Sequence, residues 1–287
     1  MTLSTSVIPD GATVLRLDLP RGHLAACAFG EAGAPLVVCV PGLSSNQRAF
    51  DLIAPRLAAA GHRAVALDLR GRGRSDVTAA GTFGWEAHAR DVLDAASALG
   101  AQSFGVVGHS MGGLVAMTMA MLAGERLRRV VLIDIAGRPD SDSVGPIFKG
   151  VERLGGVWPS AQAYLDGLRA SGVIAPWTDF WSNHYRYELR EVDGGVVSLT
   201  DRAAVLEDVA YGAGHDISDT WPHLHMPVLL VRAAAPVLPG LGHLVPAAER
   251  DRFLAAVPTA RCVEVDANHY TVVAHPDCVA AVSDFLR

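Results

Sequence analysis

Apolar residues alternate with polar ones along residues 14–19, and a second short β-prone run, 23–29, follows beyond Pro20-Arg21-Gly22. A period of two bounded by turn residues predicts a hairpin near the N-terminus. The pattern then changes. Leu36-Val-Val-Cys-Val40 is apolar without interruption, as a parallel strand buried on both faces requires. Further short apolar runs follow at 64–67, 103–107, 129–134, 227–231 and 261–265. Between them lie stretches long enough for helices: 47–60 with Gly61 as its stop, 85–99 with Gly100, an Ala/Met/Leu-rich segment at 113–123, and 277–287. Strands alternating with helices predict a parallel sheet covered on both faces. From Gly137 to Trp221 the strand pattern stops. Helices are expected there at 161–170, 177–190 and 202–210, with a turn at Asp193-Gly194-Gly195 before the short run 196–199.

One turn between a strand and a helix carries chemistry. Gly108-His109-Ser110-Met111-Gly112 follows the run 103–107 and opens the segment 113–123. A G-x-S-x-G in that position is a nucleophile elbow: the serine sits on a strained turn, and the glycines let the backbone pass without Cβ clashes. Ser110 is therefore the candidate nucleophile. The order hairpin, strand, Pro41-Gly42-Leu43 loop, helix, strand, Asp68-Leu-Arg-Gly-Arg-Gly-Arg-Ser loop, helix, elbow resembles the α/β-hydrolase family over residues 14–136 and 225–287. The resemblance implies an α/β-hydrolase fold, a mostly parallel central sheet flanked by helices. Residues 1–136 and 222–287 would form the core domain, and 137–221 an inserted helical lid.

The family's pattern also assigns roles. It implies oxyanion-hole amides at Leu43 and Met111. It gives the Asp68 loop a structural task, with Asp68 holding the turn and the arginines facing solvent. A serine needs a base that a carboxylate orients. Among eleven histidines, His269 follows the last strand through Asp266-Ala267-Asn268, where the family places its catalytic histidine. His109 would pack under the elbow, and His275 would start the last helix.

The acid departs from the common pattern. The loop 232–246 offers no Asp or Glu where most members carry one, and three alanines stand there instead. Asp134, at the end of the preceding strand, is the candidate, since a minority of the family takes its acid from that place. Glu207 or Asp216 is the runner-up. Residues 125–134 and 269–277 are similar to the corresponding stretches of zearalenone lactonases, which raises lactones as a substrate class.

The expected activity is hydrolysis of a carboxylic ester or lactone through an acyl-enzyme, with no cofactor. Aromatic residues crowd the expected lid, and Trp181 and Tyr185 are expected to face a bulky, apolar substrate. A serine at the elbow excludes the aspartate-dependent epoxide hydrolases and dehalogenases of this fold. Carbon–carbon bond hydrolysis by the same triad stays open, as does a receptor-like member that only binds its ligand.

Composition narrows the setting. A net charge of −6 without a Lys/Arg cluster argues against nucleic acid. Half the residues are hydrophobic, yet no apolar run reaches the length of a membrane span. Residues 1–10 lack the basic and apolar regions of a signal peptide, so a cytoplasmic enzyme is expected, with a homodimer left open. Cys27, Cys39, Cys262 and Cys278 show no C-x-x-C spacing and read as free thiols. His215, His223 and His225 have no carboxylate at ligand spacing, so no metal site is expected.

Overall fold

The computed structural model describes residues 8–287; the start of the stretch read for a leader signal, residues 1–7, lies outside the described residues. Strands β1 (Thr13–Leu19) and β2 (Gly22–Phe29) form the N-terminal hairpin. The sheet continues through β3 (Leu36–Val40), β4 (Arg63–Leu67), β5 (Phe104–His109) and β6 (Leu127–Ile133). A separate hairpin, β7 (Leu189–Val192) and β8 (Gly195–Ser198), precedes the last sheet strands, β9 (Val228–Ala233) and β10 (Ala260–Val265). The spatial order of the eight-stranded sheet is β1-β2-β4-β3-β5-β6-β9-β10. It is parallel from β4 to β10, and β2 joins β4 antiparallel.

The unbroken apolar runs have a direct physical cause. Side chains alternate across a strand, so a strand covered on both faces must be apolar at every position. In β3, Val38 and Val40 enter one core with α2 (Trp85–Ala98) and α3 (Met111–Ala123). Val37 and Cys39 enter the other, with α1 (Ile53–Ala59) and α9 (Pro276–Leu286).

Some elements differ from the sequence expectation; the helix expected at 177–190 ends at Tyr187, and Leu189–Val192 is strand β7. The single helix expected at 47–60 is a helical turn, Gln47–Phe50, followed by α1. Pro55 has no N–H to donate backward and fits only the first turn of a helix, so α1 begins close before it. Two helices carried no legible signal: α4 (Gly145–Glu152), with Gly and Pro in its first turn, and α8 (Ala247–Ala256), which buries Phe253 alone. Between β6 and β9 the chain forms α4, α5 (Ala161–Ala170), α6 (Asp179–Tyr187), the β7–β8 hairpin and α7 (Arg202–Ala213). It returns through a helical turn, Ile217–His223.

The arginines of the Asp68 loop correct a further expectation. Asp68 does hold the turn, accepting from the backbone N–H of Gln47 at 2.8 Å and of Arg74 at 2.9 Å. Only Arg74 is exposed, however; Arg70 and Arg72 are buried. Gly71 and Gly73, at φ +72° and +53°, turn the loop inward, and each buried guanidinium meets a carboxylate distant in sequence. Arg70 pairs with Asp91, and Arg72 with Asp208 of α7.

Candidate active site

Two non-glycine residues have positive φ among the described residues, Ser110 at +53° and Asp134 at +50°. They follow directly on the neighbouring parallel strands β5 and β6, so both lie on one rim of the sheet. Such conformations cost about 1–3 kcal/mol each and persist where the surroundings over-determine them. At Ser110 the surroundings are glycines. A Cβ on Gly108 would stand 2.3 Å from the Gly112 carbonyl oxygen, and one on Gly112 would stand 1.9 Å from that of Val40. The turn closes only because Gly108 has no side chain, and it seats against the end of β3 only because Gly112 has none.

His269 reaches the same rim from the turn after β10. Asn268 shapes that turn: its Oδ1 accepts from the N–H groups of Tyr270 and Thr271, both at 3.0 Å, and its Nδ2 donates to Val173 O at 2.8 Å. The His269 ring is 4% exposed and bridges the other two groups. Its Nδ1 lies 2.9 Å from Asp134 Oδ2, and its Nε2 lies 3.0 Å from Ser110 Oγ. The other Asp134 oxygen, Oδ1, accepts from Ala233 N–H at 2.9 Å. The alanine loop that lacks an acid thus supplies a backbone donor to the acid beside it.

His109 lies buried beneath this arrangement and donates Nε2–H to the His269 carbonyl at 3.0 Å. Burial, reinforced by the nearby His269, pushes the His109 pKa down to about 3, so this ring is a neutral support. Sequence reasoning did not find the part played by Asn268; its only signal was an Asn beside the histidine in a turn. The runner-up acids are engaged elsewhere. Glu207 accepts from Gly81 and Phe83 N–H, and Asp216 accepts from Arg138 and Ser218.

Leu43 and Met111 flank the serine from two sides. Met111 is the first residue of α3, so its N–H has no intrahelical acceptor. Leu43 follows Gly42, where a Cβ would lie only 3.2 Å from Ser110 Cβ. Ser110 borders two cavities, and Leu43 and Ile147 border both as well. One, of about 510 Å³, is bordered by His269, Tyr270, Trp181, His184 and Tyr185. The other, of about 560 Å³, is bordered by Met111, Leu114, Ile135, Val209 and Ile217, and His269 is not among its walls. Trp181 and Tyr185 are themselves buried, and Tyr185 stacks on Trp177 with ring centroids 5.9 Å apart.

Cys27, Cys39, Cys262 and Cys278 are free thiols. Among the described residues, no group of three or more His, Cys, Asp or Glu side chains could hold a metal ion. No helix among them is long and apolar enough to cross a membrane.

Known proteins share this architecture. The chain is similar over its whole length to the 2-(acetamidomethylene)succinate hydrolase of Mesorhizobium japonicum, with 25% identity over 303 residues covering 100% of this chain and 99% of that protein. The crystal structure of E-2-(acetamidomethylene)succinate hydrolase superposes with a TM-score of 0.83 at 26% identity, covering 96% of this chain and 99% of that one. A serine hydrolase-like protein of Danio rerio is 26% identical over 304 residues, 99% of this chain and 91% of that protein. The family model for the α/β hydrolase fold matches residues 35–276. The chain belongs to the α/β-hydrolase family.

Proposed function

We propose that this protein is a serine hydrolase cleaving a carboxylic ester or lactone through an acyl-enzyme. One observation carries the proposal: the two strained non-glycine residues, Ser110 and Asp134, are joined through His269 by contacts of 3.0 and 2.9 Å. Ser110 Oγ attacks the carbonyl carbon while its proton passes to His269 Nε2. Asp134 keeps the other ring proton on Nδ1 and stabilises the imidazolium that forms. The N–H groups of Leu43 and Met111 hold the oxyanion. His269 then gives its Nε2 proton to the departing oxygen, and water, deprotonated in turn by His269, releases the acid.

The direction of cleavage follows from the cavities. The departing oxygen must come within reach of Nε2, and His269 borders the aromatic-lined cavity. The alcohol portion therefore belongs there, and the acyl chain in the aliphatic cavity beside Met111 and Leu114. Residues 137–221 act as the lid in this reading, because Trp181, His184 and Tyr185 enclose the first cavity while Val209 and Ile217 enclose the second.

A second reading rests on the full-length similarity to 2-(acetamidomethylene)succinate hydrolase. That substrate, by its name, carries an acetamido group on a dicarboxylate. Arg153 and Lys149 border the His269 cavity and would suit an anionic leaving portion. The test is shared. A fluorophosphonate should label Ser110, and the unmodified chain should hydrolyse simple esters while Ser110→Ala does not. Ester turnover that survives Ser110→Ala would refute the proposal, and turnover of acylamino dicarboxylates alone would favour the second reading.

A further inference from the structure

The loop that presents Leu43 is gripped through its carbonyl groups by two arginines. Arg72 Nε donates to Leu43 O at 3.0 Å, and Arg153 donates to Ser44 O at 3.1 Å. Arg72 has no exposed side-chain surface. Its remaining N–H groups reach Arg70 O at 3.0 Å and the carboxylate of Asp208. Asp208 is equally buried and also accepts from His88 Nε2 at 3.0 Å and from Gly84 N–H at 2.6 Å. Burial opposes its charge, but His88, Arg72 and Gly84 together hold the carboxyl below its ordinary pKa, so Arg72 faces a carboxylate anion. Arg153 in turn pairs with buried Glu188 at 3.5 Å. Both carboxylates belong to the segment between β6 and β9, whereas Leu43 and Ser44 follow β3 of the sheet.

Buried ion pairs often contribute little net stability, because desolvation offsets the attraction. What this pair does contribute is geometry. With the Leu43 carbonyl fixed on Arg72 and Gly42 pressed against Ser110, the Leu43 residue has little freedom to rotate its N–H away from the serine. We propose that Arg72 is a positioning residue for the oxyanion hole, and that its bond to Asp208 makes that geometry depend on the seating of the inserted segment. The proposal rests on the reading of Ser110 as nucleophile and Leu43 as oxyanion donor.

Loss of one oxyanion donor costs on the order of 10²–10³ in kcat. A displaced donor costs part of that, so Arg72→Lys, whose single ammonium cannot span Leu43 O and Asp208, should lower kcat about 10- to 100-fold. The control is Arg70→Lys. Arg70 is as buried and is paired with Asp91, yet it makes no hydrogen bond to residues 42–45.

The experiment measures kcat and KM on an aryl ester, per active site counted by exhaustive fluorophosphonate labelling, together with Tm. Both lysine variants should lose Tm. Arg72→Lys alone should lose kcat, with KM within about threefold. Asp208→Asn should fold and show a smaller loss of kcat, and the Arg72→Lys/Asp208→Asn pair should be little worse than Arg72→Lys. Equal kcat per site in the two lysine variants would overturn the proposal. If Arg72→Lys does not fold, an unchanged kcat in Asp208→Asn overturns it, and a severalfold loss supports it. A wild-type chain that neither hydrolyses esters nor takes the label overturns the functional reading and this proposal with it. An active wild type separates the two.

Discussion

Replacing Asp134 by Asn tests the arrangement at its most specific point. The exchange conserves shape, and Asn tolerates the positive φ that Asp134 adopts. Its side chain has little choice of orientation. Ala233 N–H already donates to Oδ1 at 2.9 Å, so the amide oxygen must stay there and the amide nitrogen must face His269 Nδ1. Two N–H donors cannot face one another, so His269 surrenders its Nδ1 proton and carries it on Nε2, 3.0 Å from Ser110 Oγ. A protonated Nε2 cannot accept the serine proton. The corresponding change in a serine protease costs about 10⁴ in kcat, which is about 5.5 kcal/mol of transition-state stabilisation. Stability should fall far less, by about 1–2 kcal/mol, because the Ala233 bond survives and one charge-assisted bond is lost. The assay is kcat on an aryl ester beside a thermal melt. An Asp134→Asn enzyme that turns over within tenfold of wild type would refute the reasoning, whatever its Tm.

Ser110→Ala and His269→Ala should each reduce turnover to the residue left by binding and the oxyanion hole, and the double variant should be little worse than either. Multiplying losses would show that the two do not act as a unit. Methyl octanoate and heptyl acetate are isomers with the carbonyl at opposite ends. Val209→Trp, filling the aliphatic cavity, should cost about 1–3 kcal/mol more on the octanoate, whereas Trp181→Ala should alter the heptyl ester more; equal losses on both esters would break the cavity assignment. Burial pushes the pKa of His109 and of His184 down from the ordinary 6.5 to about 3. Between these values the unfolded chain binds more protons than the folded one, so stability is full above about pH 6.5 and falls as pH drops toward 3. Each ring adds a slope of up to about 1.4 kcal/mol per pH unit. Thermal melts from pH 8 to 5 should show the decline, and His184→Gln should make it shallower; a wild-type Tm flat across that range would contradict the burial argument.

Local rules accounted for much of this protein. Period-two alternation marked β1, and continuous apolar runs marked the strands buried on both faces, because those patterns depend only on which side of a strand meets water. The elbow was legible because its motif is local: Gly108 answers a clash with Gly112, four residues on, although Gly112 itself answers one with Val40 of β3. Even the position of Asp134 showed as an acid at a strand end. Other features depend on groups far apart in sequence, and only the folded chain brings those together. The solvent-facing expectation failed for Arg70 and Arg72 because nothing near them in sequence shows that Asp91 and Asp208 will close on them. The Ala233 N–H that orients Asp134, the Asn268 turn that delivers His269, and the division of space around Ser110 into two cavities arise likewise from contacts between strand ends and the inserted segment. The pattern of neighbours along the chain foretells burial for an apolar residue, not for an arginine that a distant carboxylate will pair. Which partner a buried residue meets is decided by the packing of elements the chain brings together only when the whole sheet has formed.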